Sequence, residues 1–247
     1  MAASDVGEAR TSSVYELRPV LDAAILLSSV VAITTPYAFT SQLIKPKCPC
    51  SPESVNTFDR GVIGNASDTA DWISTVTVGL ILVAPPIIDS IAIDSTKSAL
   101  EDTAVFLEGI AVNGVLVTGA KYIFQRPIPR VYSQPGAAQS PSNYRSFYSG
   151  HTSMAFAALS VASVTVDRRY GLSWEPWVVS GALGISVATE RVLAGKHFYS
   201  DVAVGAAVGT IAGSTVAWLH LRHQSTAITP WVPPSRDGIG LTLSGGF

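Results

Sequence analysis

The sequence predicts an all-α, polytopic membrane protein in which six transmembrane helices form a bundle. Hydrophobic residues make up 47% of its 247 residues and charged residues only 14%, against about 25% charged residues in soluble domains. Six apolar runs recur along the chain, each close to the roughly 20 residues that a helix needs to cross a bilayer. The formal net charge of -2 gives no reason to expect nucleic-acid binding.

The apolar runs divide the chain into three parts. Residues 1–18 form a polar N-terminal segment, residues 19–220 form the predicted bundle, and residues 221–247 form a tail whose end, from Ile239 onward, either pairs as a strand or is disordered. The runs cover residues 19–40, 72–93, 99–120, 151–166, 173–189 and 198–219. Because the first segment is mixed in charge, unlike the basic start of a secretory signal, we interpret the first run as an uncleaved span.

Individual runs carry residues that predict how each helix is placed. Pro85 and Pro86 should kink the second helix, because proline lacks a backbone donor and its ring clashes with the preceding turn. Glu108, near the middle of the third run, is costly in lipid and should face the bundle interior. In the sixth run, small residues recur at every fourth position on the face of Asp201, which lets helices pack closely in a membrane. These residues are Gly205, Gly209 and Gly213.

Two connectors are long and hydrophilic. The first, residues 41–70, holds Cys48 and Cys50, which are separated by one proline. That spacing is neither a disulfide framework nor a tetrahedral metal site, and it leaves reduced thiols or a strained pair as alternatives. The second, residues 121–150, contains four prolines and is predicted to be non-helical.

Six spans place both termini on one side of the membrane. We interpret six basic residues near the histidines as anion ligands, and without them seven basic residues lie on the terminal side and three on the other. The excluded residues are Lys121, Arg126, Arg130, Arg145, Arg191 and Lys196. Positive charge accumulates in cytoplasmic loops. We therefore expect an integral protein of a bacterial inner membrane, with cytoplasmic termini and a polar site on the periplasmic or outer face.

Three polar patches fall on that outer side. Two of them are Lys121 to Pro127, at the end of the third run, and Tyr148 to Thr152, at the start of the fourth. The third is Arg191 to Asp201, which joins the last two runs. A helix that begins near His197 would bring Asp201 onto the same face as that histidine. The carboxylate can then accept the imidazole Nδ1–H and leave the other nitrogen free as a nucleophile.

Basic residues and a helix start would hold a phosphate group between the patches. Lys121, Arg126 and Arg191 would surround the dianion, because guanidinium groups bind its oxygens in pairs. Ser149 and Gly150 precede a helix whose free N–H groups favour an anion. Each basic residue alone could simply extend to the membrane interface, but in combination they predict an anion site.

The two histidines would supply the chemistry. His197 attacks phosphorus, and His151 gives a proton to the leaving alkoxide. Water that is deprotonated by His151 then cleaves the phosphohistidine. Since no carboxylate cluster suits Mg²⁺, we expect a reaction that needs no metal ion and no other cofactor.

The order and spacing of the patches resemble the motifs of the type 2 phosphatidic acid phosphatases, membrane relatives of the vanadium haloperoxidases and bacterial acid phosphatases. The residues that match the third motif are Arg191, His197 and Asp201. Glu190 stands where that motif has a serine, and Tyr148 replaces the proline of the second motif, which otherwise matches at residues 149–151.

The first motif departs further from the family pattern of a lysine, six residues and Arg-Pro. After Lys121, the pair Arg126 and Pro127 comes two residues early. Three alternatives stay open: Arg126 fills the role of the motif arginine, Arg130 fills it, or the arginine is lost.

The resemblance implies a phosphomonoesterase or diphosphatase that acts on a lipid phosphate, with a six-helix bundle and a site at the outer membrane face. It makes His197 the nucleophile, oriented by Asp201, and His151 the acid and base. The phosphate ligands it implies are Lys121, Arg126, Ser149, Gly150 and Arg191. The expected partners are the lipid substrate and membrane lipids, and the oligomeric state is open.

Other functions are compatible with parts of the sequence. A haloperoxidase-like enzyme would hold vanadate in the same pocket, although the six apolar runs favour the membrane branch. A non-catalytic membrane protein that binds anionic lipid headgroups would explain Glu190 and the altered first motif. A transporter is suggested by Asp22 and Glu108, but no internal repeat supports it.

Overall fold

The computed structural model describes residues 11–48, 50–222, 227–231 and 240–244, and this part of the chain is predominantly helical. Its helices are α1 (Pro19–Ala38), α2 (Thr40–Leu43), α3 (Thr57–Arg60), α4 (Asp68–Ala92), α5 (Thr96–Phe124), α6 (Gly150–Tyr170), α7 (Glu175–Leu193) and α8 (Tyr199–His220). The six long helices coincide with the six apolar runs. Four of them, α1, α4, α5 and α8, are long and apolar enough to cross a membrane, so the chain has the composition of an all-helical membrane bundle.

The second connector was predicted to be non-helical, which is wrong for its first four residues, because α5 continues to Phe124; between that residue and Gly150 there is no α-helix. It forms three short 3-10 turns, Pro129–Tyr132, Pro135–Gln139 and Pro141–Tyr144, and a proline begins each of them. Proline suits a first helical position because its fixed φ fits and its missing N–H would have no partner there. The connector therefore folds back over one end of the bundle between α5 and α6.

Helix α6 lies at the centre of the bundle, where it packs against α4, α5, α7 and α8. Its contact with α8 is the closest, because a Cβ atom on Gly205, Gly209 or Gly213 would collide with a backbone carbonyl oxygen of α6. The oxygens belong to Ser149, Ser153 and Ala157. The predicted packed glycine face is thus confirmed, and it sets the distance between the two helices that carry the histidine patches.

Helix α1 is peripheral. It packs mainly against α5, and Asp22 and Ser29 are its buried residues. Its remaining side chains are partly or largely exposed, as expected for a helix that faces lipid. Two of them, Ile33 and Tyr37, nevertheless line the cavity described below.

The terminal end of the bundle is closed by the segment before α1. Tyr15 pairs with Leu221 through an isolated antiparallel bridge, and its hydroxyl lies 2.8 Å from that of Thr165. At the same end, Arg169 of α6 pairs with Asp102 of α5. These contacts bury several polar groups at the end of the bundle from which α1 starts and at which α8 finishes.

Three sequence-based expectations are settled by the fold. Glu108 faces the bundle interior and is buried, as predicted from its cost in lipid. The two cysteines, Cys48 and Cys50, form a disulfide, so they are not reduced thiols. In the tail, β1 (Ala227–Trp231) pairs antiparallel with β2 (Gly240–Ser244), which is the strand alternative and adds a hairpin to the predicted all-α fold.

Candidate active site

A cavity of about 500 Å³ opens at the end of the bundle where α5 ends and α6 begins. The 3-10 connector and the loop between α7 and α8 complete its wall. Its basic lining residues, histidines included, are Lys121, Arg145, His151, Arg191, Lys196 and His197. The structure therefore brings together residues from all three polar patches, and four of these side chains are lysines or arginines.

His197 is held in a defined orientation in the loop before α8. Its Nδ1 lies 2.8 Å from the carbonyl oxygen of Ser146. Because a carbonyl only accepts, Nδ1 carries the hydrogen and Nε2 keeps its lone pair. The direct bond that we expected from Asp201 is replaced by this one, since the carboxylate stands 3.9 Å from Nδ1.

The environment of His197 keeps its ring neutral. Burial lowers the pKa of His197 to about 4, and the charges of Lys121 and Arg191 act in the same direction, while Asp201 opposes them. A neutral imidazole at neutral pH has a nucleophilic nitrogen. The lone pair on Nε2 is therefore available without prior deprotonation.

Asp201 acts on His197 through Ser146. The Ser146 hydroxyl donates to Asp201 at 2.5 Å, so the residue whose carbonyl holds the imidazole is itself held by this carboxylate. Asp201 also accepts the backbone N–H of Phe198 at 2.9 Å, which caps α8 at its first turn. One buried carboxylate thus fixes both the start of α8 and the acceptor for His197.

Arg126 is engaged by carboxylates and is absent from the cavity lining. Its guanidinium donates to Asp201 at 2.6 Å and to Asp59 at 2.7 Å, and it lies 4.1 Å from the centre of the Phe198 ring. Arg130, the other arginine considered for the first motif, donates to the carbonyl of Ala194 at 2.8 Å. In this structure the guanidinium of Arg126 is engaged by two carboxylates, and its contact with phosphate stays a prediction.

Asp59 and Ser146 were not anticipated from the sequence. Asp59 is fully buried and accepts the N–H and hydroxyl of Ser200 at 2.9 and 2.6 Å. Burial alone would raise the pKa of Asp59, but hydrogen bonds from Arg126 and Ser200 outweigh it and lower that pKa. An isolated aspartate in a polar connector and one serine among many give no spacing signal that could have found them.

Lys121 lies beside the N-terminus of α6. Its ammonium donates to the carbonyl of Arg145 at 2.7 Å, and a Cβ on Gly150 would lie 3.4 Å from Lys121 Cε. Gly150 begins the helix, where backbone N–H groups favour an anion. Ser149, also predicted to hold phosphate, already donates its backbone N–H to the carbonyl of Asp201 at 3.0 Å.

Arg191 and Lys196 share one carboxylate at the edge of the cavity. Asp71 of α4 accepts Arg191 Nη1 at 2.5 Å and lies 3.1 Å from the Lys196 ammonium. Arg191 also donates to the hydroxyl of Ser74 at 3.1 Å, and its buried Nε has no partner within the protein. Two cations therefore face one carboxylate, and positive charge remains in excess.

His151 and Arg145 complete the lining. His151 Nε2 lies 3.4 Å from the hydroxyl of Thr75, and the Arg145 guanidinium lies 4.7 Å from the centre of the Tyr37 ring. Arg145 is one of the six basic residues that we interpreted from the sequence as anion ligands, although it lies outside the three family motifs. Neither side chain is held by a carboxylate among the described ion pairs.

Glu190 lies outside the cavity lining. One of its carboxylate oxygens accepts from Ser186 at 3.4 Å, and the other is buried without a hydrogen-bond partner. Arg191 turns to Asp71 instead. Glu190 therefore neither pairs with the adjacent arginine nor faces the cavity.

Comparison with known proteins places these residues in a family context. The PAP2 superfamily model matches residues 102–225. A lipid A 1-phosphatase of Porphyromonas gingivalis is 34% identical over 115 residues, which are 45% of this chain and 22% of that protein. The chain thus spans about a fifth of the curated relative it matches.

Two solved structures are similar in fold. One is LpxE of Aquifex aeolicus, with a TM-score of 0.47, 24% identity, and coverage of 70% of this chain and 98% of that one. The other is a transmembrane PAP2 type phosphatidylglycerolphosphate phosphatase of Bacillus subtilis, with a TM-score of 0.49, 15% identity, and coverage of 80% and 94%.

Proposed function

We propose that this chain, which belongs to the PAP2 superfamily, is a membrane phosphatase that hydrolyses a lipid phosphate or diphosphate through a phosphohistidine on His197. One observation carries the proposal. The buried His197 lines a cavity together with four basic side chains, and the Ser146 carbonyl accepts its Nδ1–H, which leaves Nε2 free. This arrangement supports His197 as the nucleophile and the basic side chains as the phosphate ligands.

The cations would bind the phosphate group before reaction. Lys121, Arg145, Arg191 and Lys196 line the same space, and the first N–H groups of α6 point the positive end of the helix dipole toward it. Positive charge fixed in this way stabilises the additional negative charge of the transition state. We infer that it replaces a metal ion in this role.

The reaction would proceed in two displacements. His197 Nε2 attacks phosphorus, the bond from phosphorus to the leaving oxygen breaks, and His151 gives that oxygen a proton. His151 then takes a proton from water, whose oxygen attacks phosphorus and breaks the P–N bond. Inorganic phosphate leaves, and both histidines return to their starting states.

The apolar wall of the cavity favours a lipid over a soluble ester. Ile33 of α1 and Val78 of α4 line it together with Met154 of α6, so an acyl chain could lie beside them while its headgroup meets the cations. We infer that α6 and α7 also cross the membrane, so that six spans put both termini in the cytoplasm. The cavity would then face the periplasmic or outer side of a bacterial inner membrane.

The test is phosphate release by the purified full chain from a panel of lipids in the presence of EDTA. The panel contains phosphatidic acid, phosphatidylglycerophosphate, undecaprenyl diphosphate and lipid A phosphate. We expect release from at least one of them, and loss of at least about a thousandfold in kcat for His197→Ala. A radiolabelled substrate phosphate should give an acid-labile protein label in wild type and none in the variant.

Folding of the variant is checked separately by its elution volume and thermal unfolding. Robust phosphate release by a folded His197→Ala protein would remove His197 as the nucleophile. Binding of the panel lipids without any release by wild type would instead favour a headgroup-binding protein.

A further inference from the structure

Three titratable side chains from three helices meet at the end of the bundle that is opposite to the cavity. Asp22 comes from the first turn of α1, Glu108 from α5 and His220 from the end of α8. Their ligand atoms lie within 4.8 Å of one another, and the side chains are only 8%, 5% and 10% exposed. His220 is about 28 Å from Asp201 along α8, at 1.5 Å per residue.

The imidazole of His220 is oriented by a backbone contact outside this group. Its Nδ1 lies 2.9 Å from the carbonyl oxygen of Val216, so Nδ1 carries the hydrogen and Nε2 keeps its lone pair. Nε2 points at both carboxylates, 3.4 Å from Asp22 and 3.6 Å from Glu108. A backbone acceptor that fixes the non-binding nitrogen is the usual support of a metal-binding histidine.

The distances fit a shared cation better than direct hydrogen bonds. A charge-assisted N–H to carboxylate bond is about 2.7–2.9 Å long, shorter than both separations. Around a tetrahedral ion with bonds of about 2.0–2.1 Å, neighbouring ligand atoms are about 3.4 Å apart. The two measured separations are close to that edge length.

The charge of the group also calls for a cation. Among the described residues, neither Asp22 nor Glu108 forms an ion pair with a lysine or an arginine. Two carboxylates in a nearly dry setting are unfavourable without a compensating charge. One imidazole with two carboxylates suits transition metals such as Zn²⁺, whereas Mg²⁺ and Ca²⁺ prefer all-oxygen shells.

We propose that Asp22, Glu108 and His220 bind one divalent transition-metal ion, with Zn²⁺ as the preferred ion. The ion would join α1 and α8 to α5. Helix α1 buries little besides Asp22 and Ser29, so coordination would supply a strong attachment for a weakly packed helix. The distance from the cavity makes this a structural site, separate from phosphate chemistry.

The test measures metal content and thermal stability of the full chain purified in detergent. After incubation with Zn²⁺ and removal of free ion, wild type and the surface control Glu175→Gln should each retain about one equivalent. Glu108→Gln and His220→Ala should retain at least about tenfold less. Co²⁺ should give tetrahedral d–d absorption with wild type and the control alone.

Stability provides a readout that does not depend on how well the variants express. Zn²⁺ should raise the unfolding temperature of wild type and Glu175→Gln, because it binds the folded state selectively, and should leave Glu108→Gln unchanged. The proposal fails if wild type retains no more Zn²⁺ than Glu108→Gln, or if Zn²⁺ raises both unfolding temperatures equally. The three side chains would then share protons in place of a metal ion.

Discussion

The two ends of the bundle each bring titratable groups together but differ in the sign of the excess charge. At the cavity end, four cations line about 500 Å³ of space, with Asp71 as the carboxylate between two of them. At the terminal end, Asp22 and Glu108 converge on His220 without a lysine or arginine partner among the described residues. The sign of the excess indicates the ligand: an anion at the first end and a cation at the second.

The largest expected effect concerns stability at the cavity end. Arg126 neutralises two buried carboxylates, Asp59 and Asp201. Arg126→Ala should therefore destabilise the fold by about 3–5 kcal/mol, the range for breaking a buried ion pair. Arg130→Ala, which removes a pair with the exposed Asp68 and a hydrogen bond to the carbonyl of Ala194, should cost less, about 1–3 kcal/mol.

Thermal unfolding of both variants, together with the KM of each, decides the role of Arg126. An unchanged unfolding temperature with a raised KM for Arg126→Ala would make it a phosphate ligand. In that case the cavity would hold more positive charge than its present lining indicates.

The next effect concerns transition-state binding. Arg191→Ala removes a guanidinium from the cavity and should lower kcat/KM by about 10²–10³-fold, as loss of an electrostatic contact to the reacting group does. Steady-state rates on the preferred lipid measure this, with Arg130→Ala as a control that should stay near the wild-type rate. A loss of the same size in both variants would show that the connector fold, and no single charge, limits activity.

A smaller effect tests the close contact between α6 and α8, the two helices that run between the ends of the bundle. A methyl group at Gly209 would press on the carbonyl of Ser153, so Gly209→Ala should destabilise the protein by about 1–3 kcal/mol. Gly181→Ala is the matched control, because a Cβ there meets nothing within 4 Å, and it should be neutral or stabilising by up to about 1 kcal/mol. Chemical or thermal unfolding compares them, and equal stabilities would contradict the close α6–α8 contact.

The last prediction concerns the pH dependence of kcat/KM for the wild-type protein. The pKa of His197 is lowered to about 4 by burial and nearby cations, so the nucleophile stays neutral as the pH falls through 6.5 and becomes protonated only near 4. The acid limb of kcat/KM should therefore fall well below the ordinary histidine value of about 6.5. A limb at 6.5 that belongs to His197 would mean that the cavity end is more hydrated than its burial indicates.

Much of the helical framework could be predicted from hydropathy. The six apolar runs match the six long helices, because burial in lipid or in a helical interior requires the same continuous apolar surface. The positions of Glu108 and of the α8 glycines also followed from their cost or fit in a membrane. The prediction was least specific for α6 and α7, whose composition is less apolar than that of the other four long helices.

The site could be predicted only as far as spacing along the chain encodes it. His151, Arg191 and His197 lie in motifs of fixed length, and all of them reach the cavity. The hydrogen bond from His197 to Ser146 joins residues 51 positions apart, and no local period predicts such a contact. Sequence spacing also could not show that Arg126 turns toward two carboxylates.

Asp59 bears on whether the segment matched by the family model contains every residue that holds the cavity side chains in place. The segment matched by the superfamily begins at residue 102, yet Arg126 depends on Asp59 and Arg191 depends on Asp71, and both aspartates precede that segment. Transplanting residues 102–225 onto foreign helices would carry both histidines and leave these two counter-charges behind. In this chain, the structural unit that holds the cavity residues in place is therefore larger than the matched segment.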